Sequence, residues 1–369
     1  MTTPQIRTSP RPHSSGRTRL MALIAPLVAI VFAGCSSSPD PLTQSAEDQG
    51  GQSSVVGETV DLGEGGEEVV IGLTYVPNVQ FAPVYVAGSD EIFRAAGIGA
   101  SIRHHGADEG LFTALMAGDE DVTVASGDEV LQARAAGMDL VAIGAYYHHY
   151  PVVIITREDT GITTVADLKG KTVGLPGEFG SNWFGLLAAL NAADMTPEDI
   201  TVVPIGYTQA ASLASGQVDA VVGFVNSDVV QLEQLEVPIT VIPLSAGEVP
   251  LVGATIVTTN KWAEDHPHLA SGVVGAITAG TDRVLANPQH ALEVTALWDP
   301  ALEDPAARQG ASKLLAATLP LWEGADGKAS AVQDLELWEA MAPFLSGILD
   351  VPVEEMGVED GVTNEFAGQ

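Results

Sequence analysis

The chain has 369 residues, 46% of them hydrophobic and 17% charged, which is enough apolar sequence for a sizeable buried core in one or two domains. With 48 acidic and 15 basic residues, its formal charge is -33, so we expect no binding to nucleic acid, whose phosphates such a surface repels. The single cysteine, Cys35, excludes a disulfide within the chain and a CxxC metal or redox site.

The N-terminus has the pattern of an export signal. Residues 1–19 contain four arginines and no acid, and an apolar run from Leu20 to Phe32 follows that is too short to span a bilayer comfortably. Small residues then precede Cys35, an arrangement that resembles a bacterial lipoprotein signal, in which the cysteine is lipidated. An ordinary secretory signal and an N-terminal membrane anchor are the alternatives. We expect a signal peptide at 1–34 and a lipidated cysteine with a flexible linker at 35–67.

From residue 68 onward, short apolar runs alternate with helical stretches, which predicts an α/β fold with largely parallel sheets. The predicted strands are 69–75, 100–104, 122–125, 140–147, 151–156, 172–175, 201–204, 220–224, 239–243 and 251–258. The predicted helices are 81–96, 110–117, 128–136, 181–191 and 209–214, and the first three end at Gly97, Gly118 and Gly137, which suit helix C-termini. From 263 to about 349 the chain is mostly helical.

Two series of strands and helices predict two lobes, with the chain crossing between them near 150–160 and 243–252. Lobe 1 is predicted to be discontinuous, with residues 68–155 and 250–369, and lobe 2 to span 156–249. The mature chain shows no transmembrane segment by sequence. Trp298, Trp322 and Trp338 are interpreted as core packing of the C-terminal helices.

Several motifs occur in the order known from one family. They are Tyr75-Val76-Pro77-Asn78-Val79-Gln80-Phe81-Ala82-Pro83-Val84-Tyr85, then Ala114 to Gly118, Val165 to Gly174, and Gly216-Gln217-Val218-Asp219-Ala220. Over roughly residues 68–290 the chain resembles the SsuA/THI5-like (NMT1) solute-binding proteins. The resemblance implies a periplasmic-binding-protein fold of type II, in which a two-stranded hinge joins two α/β lobes and a ligand sits in the cleft between them.

The resemblance also implies a function. Such proteins work at the extracytoplasmic face of the bacterial cell membrane, here held by the lipid at Cys35, and hand a small molecule to the permease and ATPase of an ABC importer. Family members bind thiamine pyrimidine precursors, riboflavin, alkanesulfonates, taurine or nitrate, and the form seen here is closer to the thiamine-precursor and riboflavin branches. We expect a monomer without a cofactor. A sensor that docks on a membrane receptor is an alternative.

Candidate ligand contacts follow from the rule that ligands bind beyond the carboxyl ends of strands, near helix N-termini. In lobe 1 they are Tyr75, Asn78, Phe81, Tyr85, Glu109, Gly127, Glu129 and Tyr146, with Tyr150 as an alternative to Tyr146. An aromatic pair with an amide suits a flat heterocycle, although Phe81 and Tyr85, four residues apart, equally suit the lobe core. Asp128 is expected to cap the next helix, which leaves Glu129 for a cationic or amine-bearing ligand.

In lobe 2 the candidates are Gly180, Ser181, Asn182 and Trp183, at a helix start with free backbone N–H groups, and Asn226, after another strand. We expect no metal site, because the adjacent pairs His104-His105 and His148-His149 each offer at most one ligand. We also expect no enzyme, since GxSxG, HExxH and P-loop motifs are absent. The family's pyrimidine-synthesising branch carries a cysteine-rich motif, whereas this chain has one cysteine.

Overall fold

The computed structural model describes residues 57–62, 66–106, 109–244 and 249–368. The predicted signal peptide, Cys35 and most of the predicted linker lie outside these residues. Both sheets described below belong to one compact unit. Within the described residues, no helix has both the length and the apolar character needed to cross a membrane.

The first sheet has six strands in the spatial order β1-β3-β2-β4-β11-β5. Its strands are β1 Thr59–Asp61, β2 Glu67–Leu73, β3 Ile98–His104, β4 Val122–Ser126, β5 Val141–Ala145 and β11 Ala254–Thr258. β2 runs parallel to β3 and β4, whereas β1 is antiparallel to β3 and β11 is antiparallel to both β4 and β5. The late strand β11 thus completes a sheet that the chain began almost 200 residues earlier.

The second sheet has five strands in the order β10-β6-β9-β7-β8. They are β6 Val152–Arg157, β7 Thr172–Leu175, β8 Thr201–Pro204, β9 Ala220–Phe224 and β10 Ile239–Pro243. β7 is parallel to β8 and β9, while β6 is antiparallel to β9 and β10. The prediction of largely parallel sheets is therefore wrong, because β6 and β11 enter their sheets directly from the other sheet and not through a helical crossover.

Helices cover both sheets. In chain order they are α1 Ala82–Ser89, α2 Ile92–Ala95, α3 Thr113–Ala117, α4 Gly127–Ala135, α5 Gly180–Ala192, α6 Gln209–Ala214, α7 Asp228–Gln234, α8 Asn260–Asp265, α9 Pro267–Ala286, α10 Pro288–Thr295, α11 Pro305–Trp322, α12 Leu335–Leu349, α13 Val353–Met356 and α14 Val358–Gly361. The helices α1, α9, α10 and α11 share one apolar core with the first sheet, and α4 and α12 line its other face. Two smaller cores lie on the faces of the second sheet.

The helix predicted over 81–96 is two helices. α1 ends at Ser89 because Glu91 adopts a left-handed backbone, with φ 59°, and α2 starts after it. A non-glycine residue in that conformation leaves no signal in the sequence pattern. The three glycines predicted at helix C-termini, Gly97, Gly118 and Gly137, do adopt positive φ, at 77°, 78° and 88°, within two residues of the ends of α2, α3 and α4.

The chain passes between the sheets twice, between β5 and β6 and between β10 and β11. The lobe boundary predicted at residue 155 falls inside β6, and the boundary predicted at 249 falls between β10 and β11. Trp322 and Trp338 are fully buried, as predicted, and Trp298 is half-buried and stacks on Tyr85 with ring centroids 5.1 Å apart.

Candidate functional site

The segment after β2 places Tyr75 at the surface, and buried side chains hold the backbone of this segment in place. The side chain of Tyr75 is 54% exposed, whereas Phe81 and Tyr85 are buried in the core of the first sheet. The Tyr85 hydroxyl lies 3.0 Å from His104 Nε2 and accepts a hydrogen bond from the backbone N–H of Asn78 at 3.4 Å. Nδ1 of His104 lies 2.8 Å from the Tyr75 carbonyl oxygen. Tyr85 therefore holds the 75–78 segment in place and is itself covered.

The adjacent residues His104 and His105 contact different partners. Burial lowers the pKa of His104 to about 4, although its bond to the Tyr75 carbonyl opposes the change. Neutral His104 then donates from Nδ1 to that carbonyl and accepts from the Tyr85 hydroxyl. His105 Nε2 contacts the buried Glu120 carboxylate at 2.8 Å. In the described residues, no three His, Cys, Asp or Glu side chains come together as possible metal ligands.

Glu109 is engaged by an arginine. Both of its carboxylate oxygens accept from the Arg103 guanidinium, at 2.8 and 3.0 Å, and Arg103 also pairs with Glu120 at 2.8 Å. Arg103 thus links Glu109 to Glu120, which also contacts His105. Glu109 is thus not a free carboxylate in this conformation.

A polar cluster joins the end of β4 to the start of α5. The Ser126 hydroxyl lies 2.5 Å from Asp128 Oδ1, 2.6 Å from Glu129 Oε2 and 3.1 Å from the Ser181 hydroxyl. Ser181 also reaches Asp128 Oδ1 at 3.1 Å, and the Tyr150 hydroxyl bonds Asp128 Oδ2 at 2.5 Å and the Ser181 carbonyl at 3.0 Å. We call Ser126, Asp128, Glu129, Tyr150 and Ser181 the bridging cluster, because it links elements of both sheets.

The start of α4 shows why the cluster forms. Ser126, and not Asp128 as predicted, is the N-cap of α4, and the Glu129 carboxylate accepts from the Ser126 backbone N–H at 3.2 Å. Asp128, the second residue of the helix, turns its side chain toward Tyr150 and Ser181. Gly127 leaves room for Val252 and Trp338, because a Cβ at position 127 would lie 2.7 Å from Val252 and 3.0 Å from Trp338.

The two carboxyl groups of the bridging cluster have perturbed acidity. Burial, and then the adjacent Asp128 charge, raise the pKa of Glu129 to about 7. Burial also raises the pKa of Asp128, against the opposing hydrogen bonds from Ser126, Tyr150 and Ser181. Two carboxyls this close cannot both ionise easily, so the pair favours carrying one proton near neutral pH.

The residues of α5 that were predicted to contact ligand face different parts of the structure. Gly180 has φ 65°, and a Cβ there would lie 4.0 Å from Glu129 Oε1, so the start of α5 approaches Glu129 closely. The Asn182 side chain is buried and donates to the Val222 carbonyl at 2.9 Å. Trp183 is half-buried and packs against one apolar core of each sheet.

A second contact between elements of the two sheets involves Asn226. Its Nδ2 donates to Thr318 Oγ1 of α11 at 3.2 Å, and both side chains are buried. Tyr146 belongs to the core of the first sheet, where its hydroxyl donates to the Gln80 carbonyl at 2.7 Å and its ring meets Trp322 edge-on. Asn226 and Tyr146 therefore have protein partners in this conformation.

The structure unites some of the predicted residues and separates others. Glu129, Gly180 and Ser181 lie together, while Glu109 belongs to a different network, and contact of any of the predicted residues with a ligand stays a prediction. Sequence reasoning named Tyr150 only as an alternative to Tyr146, and it did not select Ser126 or Phe179, which is 56% exposed beside Gly180. The strand-end rule places Ser126 and Phe179 at suitable positions, but no pattern links Tyr150 to Asp128, 22 residues away.

The amino-acid sequence is similar to those of several known proteins. The chain is 29% identical to a riboflavin-binding protein, RibY, of Chloroflexus aurantiacus over 94% of this chain and 98% of that one. It is 26% identical to a 4-amino-5-hydroxymethyl-2-methylpyrimidine phosphate synthase of Uromyces fabae, over 61% and 69% of the two chains. Identity to a formylaminopyrimidine-binding protein of Halalkalibacterium halodurans is 23%, over 76% and 84%.

The fold is shared with a solved binding protein. The periplasmic aliphatic sulphonate binding protein SsuA of Escherichia coli superposes with a TM-score of 0.63 at 22% identity, covering 78% of this chain and 94% of that chain. This likeness confirms the predicted periplasmic-binding-protein fold. The family model described as NMT1/THI5 like matches residues 78–291, more than half of the sequence. The chain therefore belongs to the NMT1/THI5-like family.

Proposed function

We propose that this protein is an extracytoplasmic solute-binding lipoprotein that captures a flat heteroaromatic nutrient of the riboflavin type between its two lobes and delivers it to an ABC importer. The observation that carries the proposal is the bridging cluster, which joins the carboxyl end of β4 to the start of α5. In α/β sheets, such strand ends are where ligands bind. The relative that matches nearly end to end is a riboflavin-binding protein, which supports the ligand class.

Exposed aromatic side chains supply the stacking surface in this proposal. Tyr75, after β2, and Phe179, directly before α5, are both more than half exposed. Neither residue lies on the solvent-facing side of a helix, which would account for its exposure. A planar ligand ring is stabilised when it covers such surfaces by apolar contact and offset stacking.

The polar edge of the ligand would be contacted by residues at the starts of α4 and α5, namely Glu129, Gly180, Ser181 and Trp183. Tyr85, Phe81 and Tyr146 would act as positioning residues behind the contact surface.

The proposed mechanism is closure of the lobes. A ligand that contacts both lobes stabilises the closed form by its higher affinity for that form, and the closed form docks on the permease. The lipid at Cys35 would keep the protein at the outer face of the membrane. The predicted lobes, 68–155 with 250–369 and 156–249, are the two bodies that move, and the protein acts as a monomer.

A pyrimidine ligand is the second candidate, because one binding relative is named for formylaminopyrimidine. A smaller ring would need fewer aromatic contacts than a flavin. Pyrimidine synthesis is a weaker candidate, although synthases occur among the relatives. The family's synthesising branch carries a cysteine-rich motif, and the only cysteine here is Cys35. Sulphonate binding rests on likeness of fold alone.

The test measures ligand binding to the full chain purified in detergent. We expect riboflavin fluorescence to be quenched on titration with the protein, because stacking on aromatic rings quenches the flavin, and we expect riboflavin to raise the melting temperature by mass action. Formylaminopyrimidine and an alkanesulphonate serve as competing ligands. Stabilisation by the pyrimidine alone would select the second candidate, and no response to any of the three would refute the proposed ligand classes.

A further inference from the structure

The bridging cluster contains more close oxygen pairs than its hydroxyl protons can serve. The Ser126 hydroxyl has one proton but lies within 2.6 Å of both the Asp128 and the Glu129 carboxylates. If it donates to Asp128, its contact with Glu129 is attractive only when Glu129 itself carries a proton and donates. With both carboxylates ionised, one of the two contacts would bring together two oxygens with no proton between them, which is repulsive.

No cation replaces that proton among the described residues. The strands and helix that pack on the start of α4, namely β4, β5, β11 and α5, contain no titratable side chain. The carboxylates of α12, α13 and α14 that accompany α4 are exposed: Glu336, Glu339, Glu354, Glu355, Glu359 and Asp360. On α4 itself, Arg134 binds the carbonyls of Met356 and Gly357 at the far end. The titratable groups at the cluster are Asp128, Glu129 and Tyr150.

Elements outside α4 supply the groups that bury the carboxyl pair. Ser181 and its carbonyl contact Asp128 and Tyr150, and the Gly180 backbone lies beside Glu129 Oε1. Moving α5 away would let water reach both carboxyls, and an ionised pair would then be solvated. Contact between α4 and α5 therefore favours the protonated pair, and protonation in turn favours that contact.

We propose that a single proton shared by Asp128 and Glu129 holds α4 and α5 together, and that its loss opens the cleft and releases the ligand. This proposal rests on the proposed function for its account of ligand release, but the proton-linked contact itself does not. External pH would then regulate the site. The protein would retain its ligand in slightly acidic surroundings and release it more readily in alkaline ones.

The expected size of the pH effect on ligand binding follows from proton linkage. The folded pKa of Glu129 is about 7, above its ordinary value of 4.5, so closure is coupled to binding of one proton between those values. The stabilisation is fully present below the ordinary value and is lost as pH rises through about 7. One proton released in this way weakens ligand binding by about tenfold between pH 6 and pH 8.

The first experiment measures the dissociation constant of riboflavin for the full chain at these two pH values. We expect about tenfold weaker binding by the wild type at the higher pH. Glu129→Gln, which keeps a donor toward Ser126 but cannot ionise, should show a ratio near one whatever its absolute affinity. Glu233→Gln, an exposed carboxylate on α7, should keep the tenfold ratio. A wild-type ratio near one, or the same ratio in Glu129→Gln, overturns the proposal.

A second measurement needs no ligand and no variant. Hydrogen–deuterium exchange of the wild-type chain should show that the amides over residues 181–186, at the start of α5, lose protection as pH rises from 6 to 8, after correction for the intrinsic exchange rate. Unchanged protection refutes the proton-linked contact. If riboflavin fails to bind at either pH while this protection changes, the proposed ligand is wrong and the proton-linked contact stands.

Discussion

At the scale of single residues, His104 shows how a buried side chain can shape a surface. Its two ring nitrogens connect the Tyr75 carbonyl to the Tyr85 hydroxyl, which in turn accepts from the Asn78 N–H. This chain of three bonds fixes the backbone of the segment that exposes Tyr75. Because the ring is buried, its neutral form is favoured, and an imidazolium there would require the Tyr85 hydroxyl to accept from Nε2 as well as from the Asn78 N–H.

We expect His104 to make folding sensitive to acid. Its folded pKa of about 4 lies below the ordinary 6.5, so the unfolded chain binds the extra proton and stability falls as pH drops from about 6.5 to about 4. Between pH 7 and pH 5, the wild type should lose about 2 kcal/mol of unfolding free energy more than His104→Asn, as measured by urea denaturation.

The absolute stability of the variant does not enter this comparison, since the pH dependence is the readout. His149→Asn, at an exposed position, provides the matched control and should follow the wild-type pH dependence. Equal pH dependence of His104→Asn and the wild type would contradict the role assigned to His104.

At the scale of elements, the packing of α1 on α9 supports the segment that carries Tyr75, since α1 follows it directly. The close approach depends on Gly280, where a Cβ would lie 2.2 Å from the Pro83 carbonyl oxygen and 3.1 Å from Ala87 Cβ. Backbone atoms cannot move aside as the end of a flexible side chain can. Any side chain at position 280 therefore pushes the two helices apart.

Two glycine-to-alanine substitutions in α9 should change the free energy of unfolding in opposite directions. Gly280→Ala should lower the free energy of unfolding by about 1–3 kcal/mol through overpacking. Gly275→Ala, where a Cβ meets nothing within 4 Å, should raise it by about 0.5–1 kcal/mol, because alanine has the higher helix propensity. Urea denaturation measures both, and the same sign for the two variants would show that helix propensity, and not the α1–α9 contact, controls position 280.

At the scale of the whole molecule, polar contacts join elements of the two sheets within the described residues, and two of them bear on closure. One is the bridging cluster, and the other is the bond from Asn226, after β9, to Thr318 of α11. Asn226 and Thr318 are buried, whereas the bridging cluster is partly buried, with Asp128 fully covered. If the lobes separate as proposed, both contacts must break, so their strength helps to set the fraction of molecules that are open without ligand.

We expect Thr318→Val to shift that fraction. Losing a hydrogen bond of about 1 kcal/mol should raise the ratio of open to closed molecules roughly fivefold. Small-angle X-ray scattering of the ligand-free chain should then give a larger radius of gyration, and the apparent dissociation constant for riboflavin should rise by up to the same factor. Gln289→Ala, an exposed amide on α10, is the control. No change in either quantity for Thr318→Val would show that this bond does not contribute to closure.

The sequence by itself determined the elements whose ends are marked locally. The strands β7, β8, β9 and β10 and the helix α6 have the predicted bounds, because short apolar runs there are delimited by glycine, proline or polar residues. The ordered motifs also identified the family, and with it the fold. Local patterns report local structure, and these elements depend little on distant partners.

Only the tertiary structure decided which side chains meet. Glu129 and Ser181 were both predicted as site residues, yet their shared neighbour Ser126, and the link from Tyr150 to Asp128, depend on how the two sheets face each other. The same holds for Tyr85, whose burial follows from the position of Trp298, more than 200 residues later. Strand direction in the two mixed sheets was likewise decided by the crossings at β6 and β11. Contacts of this kind arise from the packing of distant segments, which no local pattern of residues encodes.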